Sequence, residues 1–151
     1  MFKKIVIGGT FDPLHSGHEK LLRAAFDVGE RVIIGLTSDE FAERFRTRKT
    51  SGYGLRAKAV EKFIRKIGGG KYNMVRIDDS YGPATTDPEL DCIVVSEETL
   101  LRAEEINAIR FKKGLEKLAI LVVPLMLAKD GRPISSERIL EGEIDPEGNV
   151  L

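Results

Sequence analysis

The chain's two histidines both sit in GGTFDPLHSGHEK, residues 8–20, three positions apart behind a glycine pair. Gly8 and Gly9 let the backbone turn tightly and approach a ligand closely. A helix beginning near Gly17 would point unpaired N–H groups and the positive end of its dipole into the same space, so an anion is the natural occupant. His15 and His18, at i and i+3 across the helix start, can both face that anion, and two imidazoles can donate to phosphate oxygens. The segment lacks the Gly-Lys-Ser/Thr of a P-loop and is not G-x-G-x-x-G, so it is a phosphate-handling loop of another kind. The alternative is structural: one histidine satisfied in the core, the other on the surface. Two histidines with no cysteine partner and no third ligand make a poor zinc site, and no protein-bound metal is expected.

Three further groups carry polar chemistry. Ile134-Ser135-Ser136-Glu137-Arg138-Ile139 reads as a helix start whose hydroxyls and amides suit a phosphate, with Arg138 adding a charge-assisted contact; an ordinary capped helix is the alternative. Residues 44–54 (RFRTRKTSGYG) set Arg44, Arg46, Arg48 and Lys49 among small residues with no balancing acid. That pattern is a mobile basic loop, able to swing over anionic substrates, or else a solvated charge run. Asn107 and Arg110 lie three apart on one helix face, suited to the adenosine or phosphate side of a nucleotide, or simply a surface pair.

The elements that must position these residues follow from periodicity. Residues 4–8 (KIVIG) and 31–36 (RVIIGL) are short β-branched runs, as expected of buried parallel strands. Between them Leu21, Leu22, Ala25 and Phe26 recur at helical spacing, with a Ser16/Glu19 capping box and Gly29 as the C′ residue. A Thr37/Glu40 box predicts a second helix start, and residues 55–67 a helix with one apolar face. Residues 73–77 predict a strand, 78–88 a long turn-rich loop, 92–95 a buried strand, 97–111 a helix and 118–123 a last strand. A short helix from about Ser135 and an acidic tail finish the chain. Strands alternating with helices argue for an α/β fold, a doubly wound parallel sheet with helices on both faces, in which ligands bind beyond the strand carboxyl ends. A single domain over residues 1–151 is expected.

Composition restricts the partners. The 151 residues are 42% apolar and 32% charged, with 24 basic and 24 acidic side chains and zero formal net charge. A nucleic-acid-coating protein would carry a basic excess, so any basic site is local. One cysteine, Cys92, excludes a disulfide framework and fits a reducing compartment. The longest apolar stretch, residues 118–128, is too short to span a bilayer and contains Pro124, and no signal-peptide pattern follows Met1; a cytoplasmic location is expected.

T-F-D-P-L-H-S-G-H resembles the H-x-G-H signature of the nucleotidyltransferase superfamily, whose second conserved segment, I-S-S-T-x-x-R, is similar to residues 134–138. Val94-Val95-Ser96-Glu97-Glu98-Thr99, then Asn107, Arg110 and Gly114-Leu115, resembles the pattern of the archaeal-type phosphopantetheine adenylyltransferases. Arg138-Ile139-x-x-Gly142-Glu143-Ile144-Asp145 is similar to the same family, so the resemblance covers nearly the whole chain. Two departures stand out: Glu137 replaces a hydroxyl residue, and Arg138 lies closer to the serines.

The resemblance implies a Rossmann-like nucleotidyltransferase fold and transfer of an adenylyl group from ATP, with Mg²⁺, to 4′-phosphopantetheine. The products are dephospho-coenzyme A and pyrophosphate, in coenzyme A synthesis. It implies a nucleotide site of Gly8, Gly9, Thr10, Phe11, His15, His18, Asn107, Arg110, Ser135, Ser136 and Arg138, with His18 at the α-phosphate under attack. The acceptor would meet Thr10 and Lys49, with Lys49 the catalytic lysine after the second strand and Arg56 the other candidate. Asp78, Asp79 and Tyr81 line the pantetheine pocket or make a turn. Rival readings are a transferase of the same fold acting on nicotinamide mononucleotide, flavin mononucleotide or glycerol 3-phosphate, and a nucleotide-binding regulator without turnover.

Overall fold

A computed structural model describes residues 1–44 and 49–151. Five strands make one parallel sheet in the order β3-β2-β1-β4-β5: β1 Phe2–Gly9, β2 Gly29–Thr37, β3 Lys71–Ile77, β4 Cys92–Ser96 and β5 Ala119–Val123. The chain winds outward from β1 to β3, then crosses back to lay β4 on the other side of β1. The order therefore reverses between β1 and β4, and a crevice opens where the two strands end.

Among the described residues five helices cover the sheet or its rim: α1 Ser16–Val28, α2 Asp39–Arg44, α3 Tyr53–Lys66, α4 Leu100–Lys112 and α5 Ser136–Leu140. The two-residue period of β1 divides the core. Ile5 and Ile7 pack with Leu22 and Ala25 of α1 and with Val60, Phe63 and Ile64 of α3. Val6 points the other way and packs with Ile93, Val95, and Ala103 and Ile106 of α4. Helices on both faces are what near-continuous apolar strands require, since neither face can meet water. Among the described residues no helix is long and apolar enough to cross a membrane.

Several boundaries differ from the sequence expectation for identifiable reasons. α1 is capped by His15 rather than by a Ser16/Glu19 box. Gly29 is not a left-handed C′ residue: it is extended, at φ −118°, so the helix passes into β2 without a loop. Ser38 rather than Thr37 receives the backbone N–H of Phe41 at the start of α2, because the Thr37 side chain is engaged elsewhere. The helix expected over 97–111 begins as a 3₁₀ turn, Glu97–Thr99, and becomes α-helical at Leu100. The turn-rich loop holds a second 3₁₀ turn, Gly82–Thr85. Of the basic stretch 44–54, residues 45–48 lie outside the described residues.

The acidic tail is folded. Ala128, Ile134 and Ile144 form a small separate core, framed by antiparallel bridges between Leu127 and Pro133 and between Ile144 and Val150.

Gly29 shows how tightly the first β-α-β step is drawn. A Cβ there would lie 2.7 and 2.9 Å from the Ile5 side chain and 3.1 Å from the Ala25 carbonyl oxygen. Gly29→Ala overpacks the α1–β2 junction and is expected to cost about 1–3 kcal/mol, read as a lower urea midpoint. Gly52→Ala, where a Cβ meets nothing within 4 Å, is the comparison.

Candidate active site

The H-S-G-H turn closes on itself. His15 is the N-cap of α1, and its Nδ1 accepts the backbone N–H groups of Gly17 at 3.0 Å and His18 at 3.4 Å. His18 returns the contact, its Nδ1 accepting the N–H of His15 at 3.3 Å. This is a capping box built from two imidazoles, stacked with centroids 3.7 Å apart and 23° between planes. Gly17 is required between them, because a Cβ would lie 2.8 Å from His15 Cε1.

A ring nitrogen that accepts from an N–H carries no proton, so in each neutral ring the proton sits on Nε2, an assignment made from the hydrogen bonds. The expectation of unpaired helix N–H groups is thereby corrected. Ser16 N–H donates to the Pro146 carbonyl at 3.0 Å and Glu19 N–H to the His15 carbonyl at 3.0 Å, so the whole first turn is satisfied within the protein. The positive end of α1 reaches the site through the imidazoles, whose Nε2–H groups are polarised by the N–H groups behind them.

Thr10 is held from the opposite side. The Thr37 hydroxyl donates to Thr10 Oγ1 at 3.0 Å, which leaves the Thr10 proton to donate in turn. Arg56 organises both residues. Its Nε donates to the Ser51 carbonyl, Nη1 to the Thr10 carbonyl and Thr37 Oγ1, and Nη2 to the Thr37 carbonyl and to Asp39 Oδ1 at 2.9 Å. Arg56 is 1% exposed and every N–H has a partner, so the structure makes it a framework residue and not an acceptor contact. Phe11, at φ +52°, packs edge-on against His18 at 5.1 Å.

A cleft of about 520 Å³ runs over the carboxyl ends of β1 and β4. Gly8, Gly9, Thr10, Phe11, His15 and His18 line one part of it, and Ser135 and Ser136 close over them. Ser135 Oγ caps α5 by accepting the Arg138 N–H at 3.2 Å, and the Ser136 hydroxyl donates to the Pro13 carbonyl at 3.2 Å. Toward α4 the lining turns apolar, with Pro83, Ala84, Ile93 and Ile106.

Other expected site residues are committed elsewhere. The Arg138 guanidinium donates to Glu143 Oε2 at 2.8 Å, the Pro133 carbonyl at 3.0 Å and the Asp130 carboxylate, so its fork serves the tail. Asn107 does not line the cleft: its Nδ2 donates to the Leu118 carbonyl at 3.0 Å and its Oδ1 accepts the Leu118 N–H at 2.7 Å. Arg110, fully buried, donates to the carbonyls of Glu116, Ala84 and Asp87 at 2.7–2.9 Å. Both pin loops at the amino ends of β4 and β5, away from the cleft. Lys49 is exposed next to the undescribed residues 45–48. Asp79 Oδ1 accepts the N–H groups of Tyr81 and Gly82 at 2.9 and 2.7 Å, a turn role, whereas Tyr81 lines the cleft. Sequence reasoning missed Thr37 and the rim residues Glu98, Thr99 and Arg102. The helical spacing of Glu98 and Arg102 just past a strand end was the available signal.

The cytidylyltransferase-like family model matches residues 6–142. The chain belongs to that family. Its similarity to phosphopantetheine adenylyltransferases runs nearly end to end: 45% identity with that of Methanothermobacter thermautotrophicus, over 99% of this chain and 90% of the relative. With that of Pyrococcus horikoshii the identity is 45%, over 99% and 96%. A solved structure of a protein of unknown function from Archaeoglobus fulgidus superposes with a TM-score of 0.72 at 38% identity, covering 80% of this chain and 88% of that one.

Two outcomes test the assignments within this family site. Burial lowers the His15 pKa from 6.5 to about 4, so at neutral pH the folded ring is an uncharged donor. The unfolded ring takes up its proton first as pH falls, so native stability declines from about pH 6.5 toward 4. Between pH 7 and pH 5 this contributes a loss of about 2 kcal/mol. In His15→Asn, which keeps a capping oxygen, urea unfolding at the two pH values should show that loss removed. Asn107→Ala leaves the Leu118 N–H and carbonyl unpaired and should cost about 2–3 kcal/mol; calorimetry should show the lower Tm while the KM for ATP stays at the wild-type value.

Proposed function

We propose that this chain catalyses adenylyl transfer from ATP to 4′-phosphopantetheine, releasing pyrophosphate and forming dephospho-coenzyme A in coenzyme A synthesis. The observation that carries the reading is the imidazole capping box. It turns two Nδ1 atoms toward the backbone, which puts the proton of each neutral ring on Nε2 in two side chains that line the cleft where sheet order reverses. Near-full-length similarity to enzymes of that name supports the choice of acceptor.

The acceptor phosphate oxygen attacks the α-phosphorus, the new P–O bond forms, and the bond to the β-phosphate oxygen breaks with its electron pair leaving on pyrophosphate. A phosphate monoester is already anionic near neutral pH, so no general base is needed and catalysis is positioning with charge stabilisation. His18 holds the α-phosphate oxygens as charge builds there. His15 and Ser135 hold the β- and γ-phosphates, with the Ser136 hydroxyl anchoring that helix start to the Pro13 carbonyl, and Thr10 holds the acceptor phosphate. Lys49 comes over the acceptor from its exposed position, the role left to it once Arg56 is assigned to the framework. The apolar end of the cleft suits the uncharged parts of the substrates.

Among the described residues no three His, Cys, Asp or Glu side chains come together, and in this reading Mg²⁺ would enter with the nucleotide. Bound with the triphosphate, it would supply charge neutralisation on the leaving group. A cytoplasmic location is part of this reading.

Incubation of the protein with ATP, Mg²⁺ and 4′-phosphopantetheine should yield dephospho-coenzyme A by mass spectrometry. His18→Ala should lower kcat roughly 10²–10³-fold, the cost of removing one preorganised donor, with little change in ATP affinity by calorimetry. Equal losses in both would assign His18 to ground-state binding, and turnover only with another phosphorylated acceptor would keep the chemistry and replace the substrate.

A further inference from the structure

The tail segment Arg138 to Asp145, one of the stretches behind the family resemblance, supplies no side chain to the cleft. It builds a turn instead. Asp145 Oδ1 accepts the N–H groups of Glu147 at 3.0 Å and Asn149 at 2.9 Å, and Oδ2 accepts Asn149 Nδ2 at 2.8 Å. The backbone closes the same turn, with Asp145 N–H donating to the Asn149 carbonyl at 2.9 Å and Gly148 N–H to the Asp145 carbonyl at 3.0 Å. Hydrogen bonds, first that of the Asn149 side chain, hold the Asp145 carboxyl below the usual carboxylate range, so it is ionised at neutral pH.

The turn is anchored on both sides. Ile144 is buried with Ala128 and Ile134, Leu151 N–H donates to the Glu143 carbonyl at 3.0 Å, and Arg138 braces Glu143 against Asp130. From this base the turn presents the Pro146 carbonyl to Ser16 N–H, the first amide of α1. The same unit reaches the other flank of His15 through Ser136, whose hydroxyl donates to the Pro13 carbonyl. The segment carrying His15 is therefore gripped at residues 13 and 16.

We propose that the Asp145 turn positions the two site histidines: Asp145 holds the Pro146 carbonyl where it fixes the first turn of α1 in the register that lets His15 and His18 cap each other's backbone. A helix start without an acceptor for its first amide frays. An unfixed Ser16 N–H would also compete for His15 Nδ1, which already accepts two N–H groups. Asp145 touches no substrate, so it acts through the histidines. Only the kinetic consequence rests on the adenylyl-transfer reading.

The test uses full-length Asp145→Ala and Asn149→Ala, with Asp145→Asn as the conservative variant that keeps an oxygen for both backbone N–H groups. Long-range ¹H–¹⁵N spectra report the tautomer of each ring, and with two histidines in the chain they contain two ring systems. Expected are two fixed Nε2–H tautomers in the wild type, tautomer averaging in both alanine variants, and a wild-type pattern in Asp145→Asn. Kinetically, the alanine variants should lose about tenfold or more in kcat, with the KM for ATP nearly unchanged and most activity restored in Asp145→Asn.

Folded alanine variants with wild-type ring spectra and wild-type kcat would overturn the proposal. So would a lower Tm with kcat per folded molecule and ring spectra unchanged, which is a purely structural role, or a raised KM at constant kcat. Should the wild type form no dephospho-coenzyme A, the ring spectra still decide the matter: averaging in the alanine variants supports the positioning role, and unchanged rings overturn it.

Discussion

Two imidazoles capping each other's backbone across one helix start are the constraint around which the rest of this molecule is arranged. The box needs a glycine between the rings, since any Cβ on Gly17 would strike His15. It needs the rings stacked, which places a second charge poorly if both were protonated, and the low pKa of buried His15 removes that conflict at neutral pH. It also needs an acceptor for Ser16 N–H that neither ring can provide, because each Nδ1 is already occupied. The tail, at the far end of the chain, delivers that acceptor. Local sequence, packing and a long-range contact thus converge on one helical turn.

Two buried arginines frame the sheet at opposite ends. Arg56 ties the Thr10 turn, the end of β2 and the start of α2 together at the carboxyl end, while Arg110 gathers three carbonyls at the amino end. The planar fork of arginine suits this work better than lysine's ammonium, because its donors reach several carbonyls in fixed directions and it remains charged when buried. Burying a guanidinium is costly unless its donors are satisfied. The Asp39 carboxylate beside Arg56 and the Asp87 carboxylate near Arg110 offset part of that cost. Arg56 is scaffolding by necessity, since every one of its donors is engaged in the framework and nothing is left for a transient substrate, whereas Arg110 spends Nε and Nη1 on carbonyls and keeps a buried Nη2 without a partner.

This explains where the sequence was legible and where it was not. Short β-branched runs identified β1, which ends in glycines, and β2 and β4, and the glycine turn with two histidines lies at the carboxyl end of β1 beside the cleft. Helix capping was misread because Ser16 and Thr37 are the usual choices, whereas the real caps, His15 and Ser38, were selected by tertiary demands on Thr37 and on the ring stack. Arg56 and Arg138 were assigned to phosphates, and Arg110 to the adenosine or phosphate side of a nucleotide, because charge is visible in a sequence and the partner is not. Their acceptors are mostly backbone carbonyls, which every residue carries, so no local pattern announces them. The contact between Ser16 and Pro146 is invisible for the same reason.

A neutral His15 also suits the proposed chemistry better than a cationic one. A cation would bind the triphosphate of ground-state ATP strongly, and binding that does not grow toward the transition state lowers KM without raising kcat. A neutral Nε2–H backed by helix amides is a directional donor with a modest field, most effective for an oxygen whose charge increases at one fixed place. A His15 ring whose pKa lies near 4, with its Nδ1 already accepting two N–H groups, is also a poor base toward the acceptor. The same cap that fixes where the donors point therefore fixes what they can do, which is to hold charge in place while phosphorus changes partners.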